Sequence, residues 1–500
     1  MWHWLLFFLC SLPRAEMEYI TDHALSIAAM KSLVDMESFF IAELDKYSDD
    51  LEWKITTIES FLDEVQMRKA PWRNTPDEFV AHPLTSFSLV RRLHEDWSHM
   101  ELFMSTRLGL NYLNKIQRVL DLAKPTEQDL HDALSGIDAI QNQYDLKATN
   151  MANGVLNGRQ YNTNLTTLDC LAMVQFHENN KQMHASIDWN AAALQQYDEA
   201  RDGHLYREVF NFSLSDLYGN YARSLTAKGL RQTALTLLKD VSHFHADLWQ
   251  LQRDITNKME LHEHDDIQMK REQNTLLIGC LGLFPPIRNR SCHYESTRTA
   301  FLRLAPLKVE LLSLDPYIAV YHDAIYDTEI RRVMTLPVHT LKGPPRYRDR
   351  REYNLKFTTV YEDANSQLNQ RIRDMTGEEV KEDKDFSIYN YGIGGYIRYH
   401  VDNLPKEDLK PGFGDFQTTI IYFLNDVTHG GAISFPPLQM TVWPRKGSAV
   451  VWHNLDNNSQ LDLRVAHISC PVIVGSKWTL VKWLHEGHQN FTQTPEKPRD

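Results

Sequence analysis

Residues 396–402 read YIRYHVD. Aromatic and β-branched residues dominate this run, the texture of a strand, on which residues i and i+2 share a face. His400 and Asp402 therefore stand side by side and can hold one ion. His-x-Asp also occurs at His94–Asp96, His245–Asp247 and His264–Asp266, but in helical stretches, where i and i+2 point in different directions. Outward from 396–402, the chain beyond Arg303 is a series of short β-rich runs: IAVYH, YNLKFTTVY, FSIYNY, TTIIYFL, AISF, TVWP, SAVVWH, RVAHISCPVIV and KWTLVKW. Glycine, proline and asparagine punctuate them, as in an antiparallel sandwich or barrel.

A third ligand has to come from the same β region, where His429, His453, His467, His485 and His488 are the candidates. His467 lies in the strand-like RVAHISCPVIV, so a facing strand could deliver it. Two imidazoles and one carboxylate leave three positions of an octahedron open, which suits non-haem Fe(II) and oxygen chemistry; satisfied core or surface histidines are the alternative. In KWTLVKW, strand parity aligns Lys477 with Thr479, Val481 and Trp483. If that face is inside, the ammonium needs an anion, because burying it unpaired is costly; a dicarboxylate cosubstrate would supply one. The glycine-rich YGIGG (Gly392, Gly394, Gly395) lacks the third glycine of a nucleotide fingerprint and leads into a strand. It reads as backbone flexibility at a barrel rim. A His243/His245/His262/His264 zinc site is disfavoured because the segment is helical and charged, and neither G-x-S-x-G nor a P-loop is present.

The whole chain has 500 residues, 42% hydrophobic and 24% charged, which suggests about three domains. A net charge of −13 from 53 basic and 66 acidic residues argues against nucleic acid as the main partner. Residues 1–15, MWHWLLFFLCSLPRA, have the shape of a secretory signal and are too short to span a bilayer; no later run reaches that length. Sequons at Asn164, Asn211, Asn289, Asn457 and Asn490 agree with a glycoprotein of that compartment. Cys280 and Cys292 close a short loop and are the expected disulfide, worth about 3 kcal/mol; Cys170 and Cys470 have no evident partner.

The N-terminal part reads as helices. Leu44, Tyr47, Leu51, Lys54, Ile58, Phe61 and Val65 recur at alternating spacings of three and four, a coiled-coil seam and hence a means of self-association, or else the face of a helix on its own core. LYGNYARSLTAKGLRQTALTLL, with Gly229 and Ala234, has the punctuation of a tetratricopeptide hairpin. A second hairpin around Ala185 and Trp189 is offset by more than the 34-residue period of such repeats. The expected organisation is a signal at 1–15, helical dimerisation at 16–125, a tetratricopeptide-like peptide-binding region at 130–250, a helical linker with a cysteine loop at 251–300, and a catalytic β domain at 301–490.

The stretches YGIGGYIRYHVD, TTIIYFLNDVTHGGAISFP, TVWPRKGSAVVWHNL and AHISCPVIVGSKWTLVKWLHE, with DEFVAHPLTSFSLVRRLHEDW near the N-terminus, resemble the α subunit of collagen-type prolyl 4-hydroxylases. The resemblance covers nearly all of the chain after residue 15. It implies an α+β multidomain protein ending in a double-stranded β-helix (jelly-roll) dioxygenase. His400, Asp402 and His467 would hold Fe(II). Lys477, Tyr391 and Thr419 would hold the distal carboxylate of 2-oxoglutarate, His485 would lie near cosubstrate and peptide, and Trp483 would wall the pocket. The implied reaction consumes O2 and 2-oxoglutarate and yields 4-hydroxyproline, succinate and CO2, with L-ascorbate rescuing oxidised iron.

The resemblance also implies protein disulfide isomerase as β subunit of an α2β2 assembly in the endoplasmic reticulum lumen. The peptide would be proline-rich and collagen-like, contacted by Tyr218 and Tyr221. The terminal KPRD is no retention tetrapeptide, so retention would fall to the partner. Departures from the family pattern are Ile397 where a tyrosine is usual, no cysteine after Cys470, and Phe176, Gln182 and Met183 where aromatic contacts are expected. They bear on the collagen substrate and not on the iron chemistry, and point to a hydroxylase for a non-collagen secreted protein as one alternative; a catalytically silent peptide-binding scaffold is the other.

Overall fold

The computed structural model describes residues 23–239, 241, 246–257, 275–286, 291–335, 341, 352–360, 366–378, 380, 386–404, 409, 414–456 and 458–488. The expected leader at 1–15, the sequons at Asn289, Asn457 and Asn490, and His243, His245, His262 and His264 lie outside them. The chain divides into two compact units, Met30–Pro125 and the remainder. No described helix is long and apolar enough to cross a membrane.

Helix α1 (Ile27–Lys69) is the longest helix of the first unit, followed by α2 (Pro76–Ala81), α3 (Pro83–Arg91), α4 (Trp97–Ser105) and α5 (Leu110–Ala123). Part of the heptad row packs inside this unit: Tyr47 meets Tyr112 and Phe61 meets Trp97, with ring centroids 6.0 and 5.3 Å apart. Lys54, the polar member of the row, donates to the carbonyls of Met104 and Thr106 at 2.9 and 2.7 Å. It thereby satisfies acceptors left open where α4 ends. Val34, Ile41, Leu44, Leu51, Ile55 and Leu62 remain exposed along α1.

The second unit starts with α6 (Glu127–Tyr144), α7 (Ala148–Ala152), α8 (Thr167–Asn179), α9 (Met183–Gln196), α10 (Glu199–Phe210), α11 (Leu214–Ala227), α12 (Arg231–Lys239) and α13 (Ala246–Asn257). Capping boxes at Thr126/Asp129 and Thr166/Asp169 start α6 and α8. The hairpins α8/α9 and α11/α12 are separated by α10, which explains why the small-residue turns are too far apart for uninterrupted repeats. Tyr218 and Tyr221 lie on α11, half-buried against a core of Leu225, Leu238 and Leu248.

The β part is antiparallel. Its strands are β1 (Val155–Leu156), β2 (Arg159–Gln160), β3 (Ser291–Glu295), β4 (Leu307–Leu314), β5 (Tyr317–His322), β6 (Glu352–Val360), β7 (Phe386–His400), β8 (Phe416–Phe423), β9 (His429–Gly430), β10 (Ile433–Phe435), β11 (Met440–Val442), β12 (Ala449–His453), β13 (His467–Ser469), β14 (Val472–Val474) and β15 (Trp478–His485). Among the described residues the main sheet runs β11-β10-β13-β7-β15-β8-β12-β5-β4-β3, with β6 also on β7, and β14 pairs β9. The long β7 makes the sheet curl: its first half pairs β15 and its last residues pair β13. This curled double sheet is the jelly roll.

Strand alternation divides the apolar residues as the period of two requires. Ile420, Tyr422, Ala449, Val451 and Leu480 join the core backed by α15 (Asp327–Met334) and α16 (Gln367–Thr376). Val450, Trp452, Phe423 and Phe435 fill the interior. Lys477, Val481 and Trp483 take the inner face, where Val481 packs with Tyr389 and Tyr391.

The helices and the β domain share one core. Tyr144, Met173 and Trp189 cluster with Ala432, Ile468, Cys470 and Ile473. Here the structure corrects two expectations. Cys280, at the end of α14 (Thr275–Cys280), bonds Cys470 and not Cys292, with Cα atoms 5.6 Å apart. The short spacing misleads because the last turn of α14 buries Cys280 in the shared core, while Cys292 sits exposed on β3 opposite Glu310. YGIGG is not a loose rim either. Any Cβ on Gly394 would collide with the backbone of Gly136 on α6, and one on Gly392 with Ala24 and Leu25. These glycines let backbones meet.

A bond spanning 190 residues restricts the unfolded chain by about 5 kcal/mol in loop-entropy terms. Cys280→Ser should therefore lower the denaturant midpoint by up to that equivalent, while Cys292→Ser leaves it in place. Non-reducing peptide mapping should recover Cys280 joined to Cys470; a Cys280–Cys292 peptide would refute the pairing.

Candidate active site

His400 ends β7, and His467 opens β13 directly opposite it in antiparallel register. The two rings lie 4.4 Å apart between centroids. Asp402 Oδ1 is 3.1 Å from His400 Nε2, and one ligand atom from each of the three residues falls within 4.8 Å of the others. The Nδ1 atoms of His400 and His467 lie 2.6 and 3.1 Å from the carbonyls of Arg398 and Val465. A carbonyl only accepts, so both Nδ1 atoms carry the proton, and Nε2 is the atom each ring can offer to a metal.

Protonation suits the same role. Burial and the nearby His400 depress His467 to about 4, so it is neutral at pH 7. Burial pushes the Asp402 carboxyl up, but His400, His467 and Thr419 outweigh it and hold it well below the usual carboxylate range. Asp402 Oδ2 accepts from Thr419 Oγ1 at 2.7 Å and Trp483 Nε1 at 3.1 Å. Only Oδ1 is left for an ion. The 3.1 Å between His400 Nε2 and Asp402 Oδ1 matches the edge of an octahedron with bonds of about 2.1 Å, and two imidazoles with one carboxylate oxygen are a donor set that suits a divalent first-row metal.

Two residues along β13 from His467, Ser469 faces the same way. Lys477 Nζ donates to Ser469 Oγ at 2.7 Å, and Ser469 donates to the Tyr391 hydroxyl at 3.3 Å. The ammonium also lies 4.5 Å from the Tyr391 ring centroid. Lys477 is 1% exposed, and burial lowers it to about 7. A hydroxyl and a ring face do not neutralise a buried cation, so the place asks for an anion.

Of the expected site residues, His400, Asp402, His467, Lys477, Tyr391, Thr419 and Trp483 come together, with one difference of role. The Thr419 hydroxyl is directed at Asp402 and not at the Lys477 end. His485 is buried edge-on to Phe416 at 4.9 Å, and Trp483 stacks on the same ring at 5.5 Å. His429 meets Tyr161 at 2.9 Å through Nδ1, and His453 lies against Tyr317 with centroids 4.9 Å apart; neither is in the metal cluster. Tyr218 and Tyr221 belong to the helical core. Ser469 was missed, although parity with His467 could have revealed it.

This barrel and this cluster define a class: dioxygenases that use Fe(II) and 2-oxoglutarate. Residues 386–485 match the 2OG-Fe(II) oxygenase superfamily, and residues 26–158 match the prolyl 4-hydroxylase alpha-subunit N-terminal region. The chain is similar to prolyl 4-hydroxylase subunit alpha-2 of Gallus gallus, 27% identical over 98% of each chain. Subunit alpha-2 of Caenorhabditis elegans is 27% identical over 94% of this chain and 92% of its own. Among solved structures, the viral collagen prolyl hydroxylase of Paramecium bursaria Chlorella virus-1 aligns with 34% of this chain and 96% of its own, at 18% identity and a TM-score of 0.28. Over nearly its whole length the chain is thus similar to prolyl 4-hydroxylase alpha subunits.

Replacing His467 with Ala should weaken Mn(II) binding, used as a redox-stable probe of the metal site, by more than about a hundredfold. Calorimetric titration of the folded variant checks this; unchanged affinity would remove His467 from the ligand set.

Proposed function

We propose that the chain is the α subunit of a peptidyl-proline 4-dioxygenase, of the procollagen-proline type, in the endoplasmic reticulum lumen. The observation that carries this reading is the joint placement of the His400/Asp402/His467 cluster and buried Lys477 at the two ends of one short strand, β13. Two residues along a strand span about 7 Å, a separation suited to a five-carbon dicarboxylate reaching from metal to ammonium. Full-length likeness to prolyl 4-hydroxylase alpha subunits supports the substrate class. An intact cluster with its cation disfavours a silent scaffold.

When bound, Fe(II) supplies oxygen activation coupled to decarboxylation of the cosubstrate. Lys477 pairs with the distal carboxylate, assisted by Ser469 and Tyr391, and fixes the length of the acceptable dicarboxylate. The Nε2 atoms of His400 and His467 and one oxygen of Asp402 would hold the metal and leave positions for cosubstrate and O2. Phe416, Trp483 and His485 form a wall that excludes water beside the metal. Ascorbate keeps the iron reduced, as is typical of the superfamily. The helices α8–α12, with Tyr218 and Tyr221, take the proline-rich peptide; the exposed apolar row of α1 from Val34 to Leu62 supports self-association. Protein disulfide isomerase is the β subunit of the α2β2 assembly.

The test is mass spectrometry of a (Pro-Pro-Gly) repeat peptide after incubation with the chain co-expressed with the isomerase, Fe(II), 2-oxoglutarate and ascorbate. One oxygen added to the proline before glycine, dependent on 2-oxoglutarate, supports the reading. No addition by the metal-loaded protein rejects the collagen-type substrate.

A pH effect follows from Lys477. With burial lowering it to about 7, the free site is mostly neutral at pH 8, and a bound carboxylate favours its charged form. Binding of 2-oxoglutarate should take up close to one proton at pH 8, and affinity should fall about tenfold per pH unit above 7. Calorimetry in buffers of different ionisation enthalpy measures the uptake, and Lys477→Met should abolish it.

A further inference from the structure

Asn454, just past the end of β12, is fully buried. Its backbone is fixed on both sides: its N–H donates to Gln417 O and its carbonyl accepts from Asp462 N, each at 2.8 Å. The Trp452 indole N–H reaches Asn454 Oδ1 at 2.8 Å, and Asn454 Nδ2 reaches Thr419 Oγ1 at 2.8 Å. Thr419 Oγ1 lies 2.7 Å from Asp402 Oδ2. All four side chains belong to the barrel interior, with Trp452 edge-on to His467 at 4.8 Å.

Donor chemistry gives this row one direction. An indole nitrogen can only donate, so the Asn454 amide must turn its oxygen to Trp452 and its NH2 to Thr419. The Thr419 oxygen then accepts from Asn454, and its single proton is left for Asp402. With Trp483 donating to the same Oδ2, that oxygen is occupied and Oδ1 alone faces the cluster. We infer that Trp452, Asn454 and Thr419 form a one-way hydrogen-bond relay that keeps Asp402 a one-oxygen metal ligand. Thr419 and Asn454 are thus positioning residues, and Asn454 acts through Thr419. If Asp402 could turn and offer both oxygens, it would occupy a position that cosubstrate or O2 needs. The inference rests on the Fe(II)/2-oxoglutarate reading above.

Co(II), which resists oxidation, is a suitable probe of the full-length protein, with the dissociation constant from calorimetry and the coordination from its visible spectrum. Thr419→Val should raise the Co(II) dissociation constant about ten- to a hundredfold, the usual effect of losing a partner that orients a ligand. Asn454→Leu should raise it less, and the double variant should match Thr419→Val alone, because in the relay Asn454 acts on Asp402 through Thr419. A thermal melt of each metal-free variant confirms folding. If Asn454→Leu does not melt cooperatively, Trp452→Phe, which frees the amide to turn, takes its place with the same expectation.

Additive effects in the double variant overturn the relay. So does a Thr419→Val protein with wild-type Co(II) affinity and weakened 2-oxoglutarate binding, which would assign Thr419 to the cosubstrate. Wild-type protein that takes up no Co(II) defeats the metal reading itself, and this inference with it.

Discussion

The site depends on one strand pairing, β13 against the end of β7 in the register that sets His467 opposite His400. A slip of one residue would turn His467 away from His400 and Asp402, because side chains on a strand alternate faces. The neighbourhood of β13 leaves little room for such a slip. Ser469 meets Lys477, Cys470 is tied to Cys280, and the carbonyl of Pro471 accepts from the buried Tyr144 hydroxyl at 2.6 Å. Five consecutive residues thus provide a metal ligand, a contact for the buried cation, a covalent tie and an acceptor for the helical layer.

Charge is arranged at two ends of that short strand. Asp402 is anionic, with donors on one oxygen and a cluster of imidazoles beside the other. Lys477 is a buried cation answered, among the described residues, by a hydroxyl and a ring face. Burying an ion without a counter-ion costs several kcal/mol, and burial accordingly lowers Lys477 to about 7. That cost is borne by the folded protein and relieved when an anion arrives, so the cation favours a dianionic ligand that also reaches the metal. A well-paired lysine would be more stable and would recognise nothing.

Strand parity was readable from the amino-acid sequence and carried much of the site. It placed Lys477, Val481 and Trp483 on one face, the inner one, and it anticipated Asp402 beside His400, although β7 ends at His400 and Asp402 follows two residues past the strand. Parity cannot show which strands pair, so the meeting of His467 with His400 needed the family resemblance or the structure. Nor does it show what a hydroxyl points at: Thr419 is in the pocket, yet it serves Asp402. Spacing misled for the cysteines, because the last turn of a helix sends Cys280 into a core whose other half lies 190 residues on. It misled again for YGIGG, where the constraint is the backbone of Gly136 and of Ala24–Leu25, remote in sequence. Asn454 sits beyond the end of a strand, where alternation stops being a guide.

The same remote contacts decide how separable the catalytic barrel is. Gly394 meets Gly136, Ser26 donates to Asn390 at 2.5 Å, and Asn390 in turn reaches Ser476 at 3.2 Å, beside Lys477. Ile468, Cys470 and Ile473 bury their apolar surface against Tyr144, Met173 and Trp189. Cutting the helices away would expose that surface on the strand that holds His467, and would free a buried Asn390 from one of its partners. At about 25 cal/mol per Å2 of apolar area, the loss falls on β13 and the end of β7, the pairing on which the metal cluster rests. The helical layer is therefore structural support for the site as well as a neighbour to it, and a β domain cut out at residue 301 would lack part of its own core.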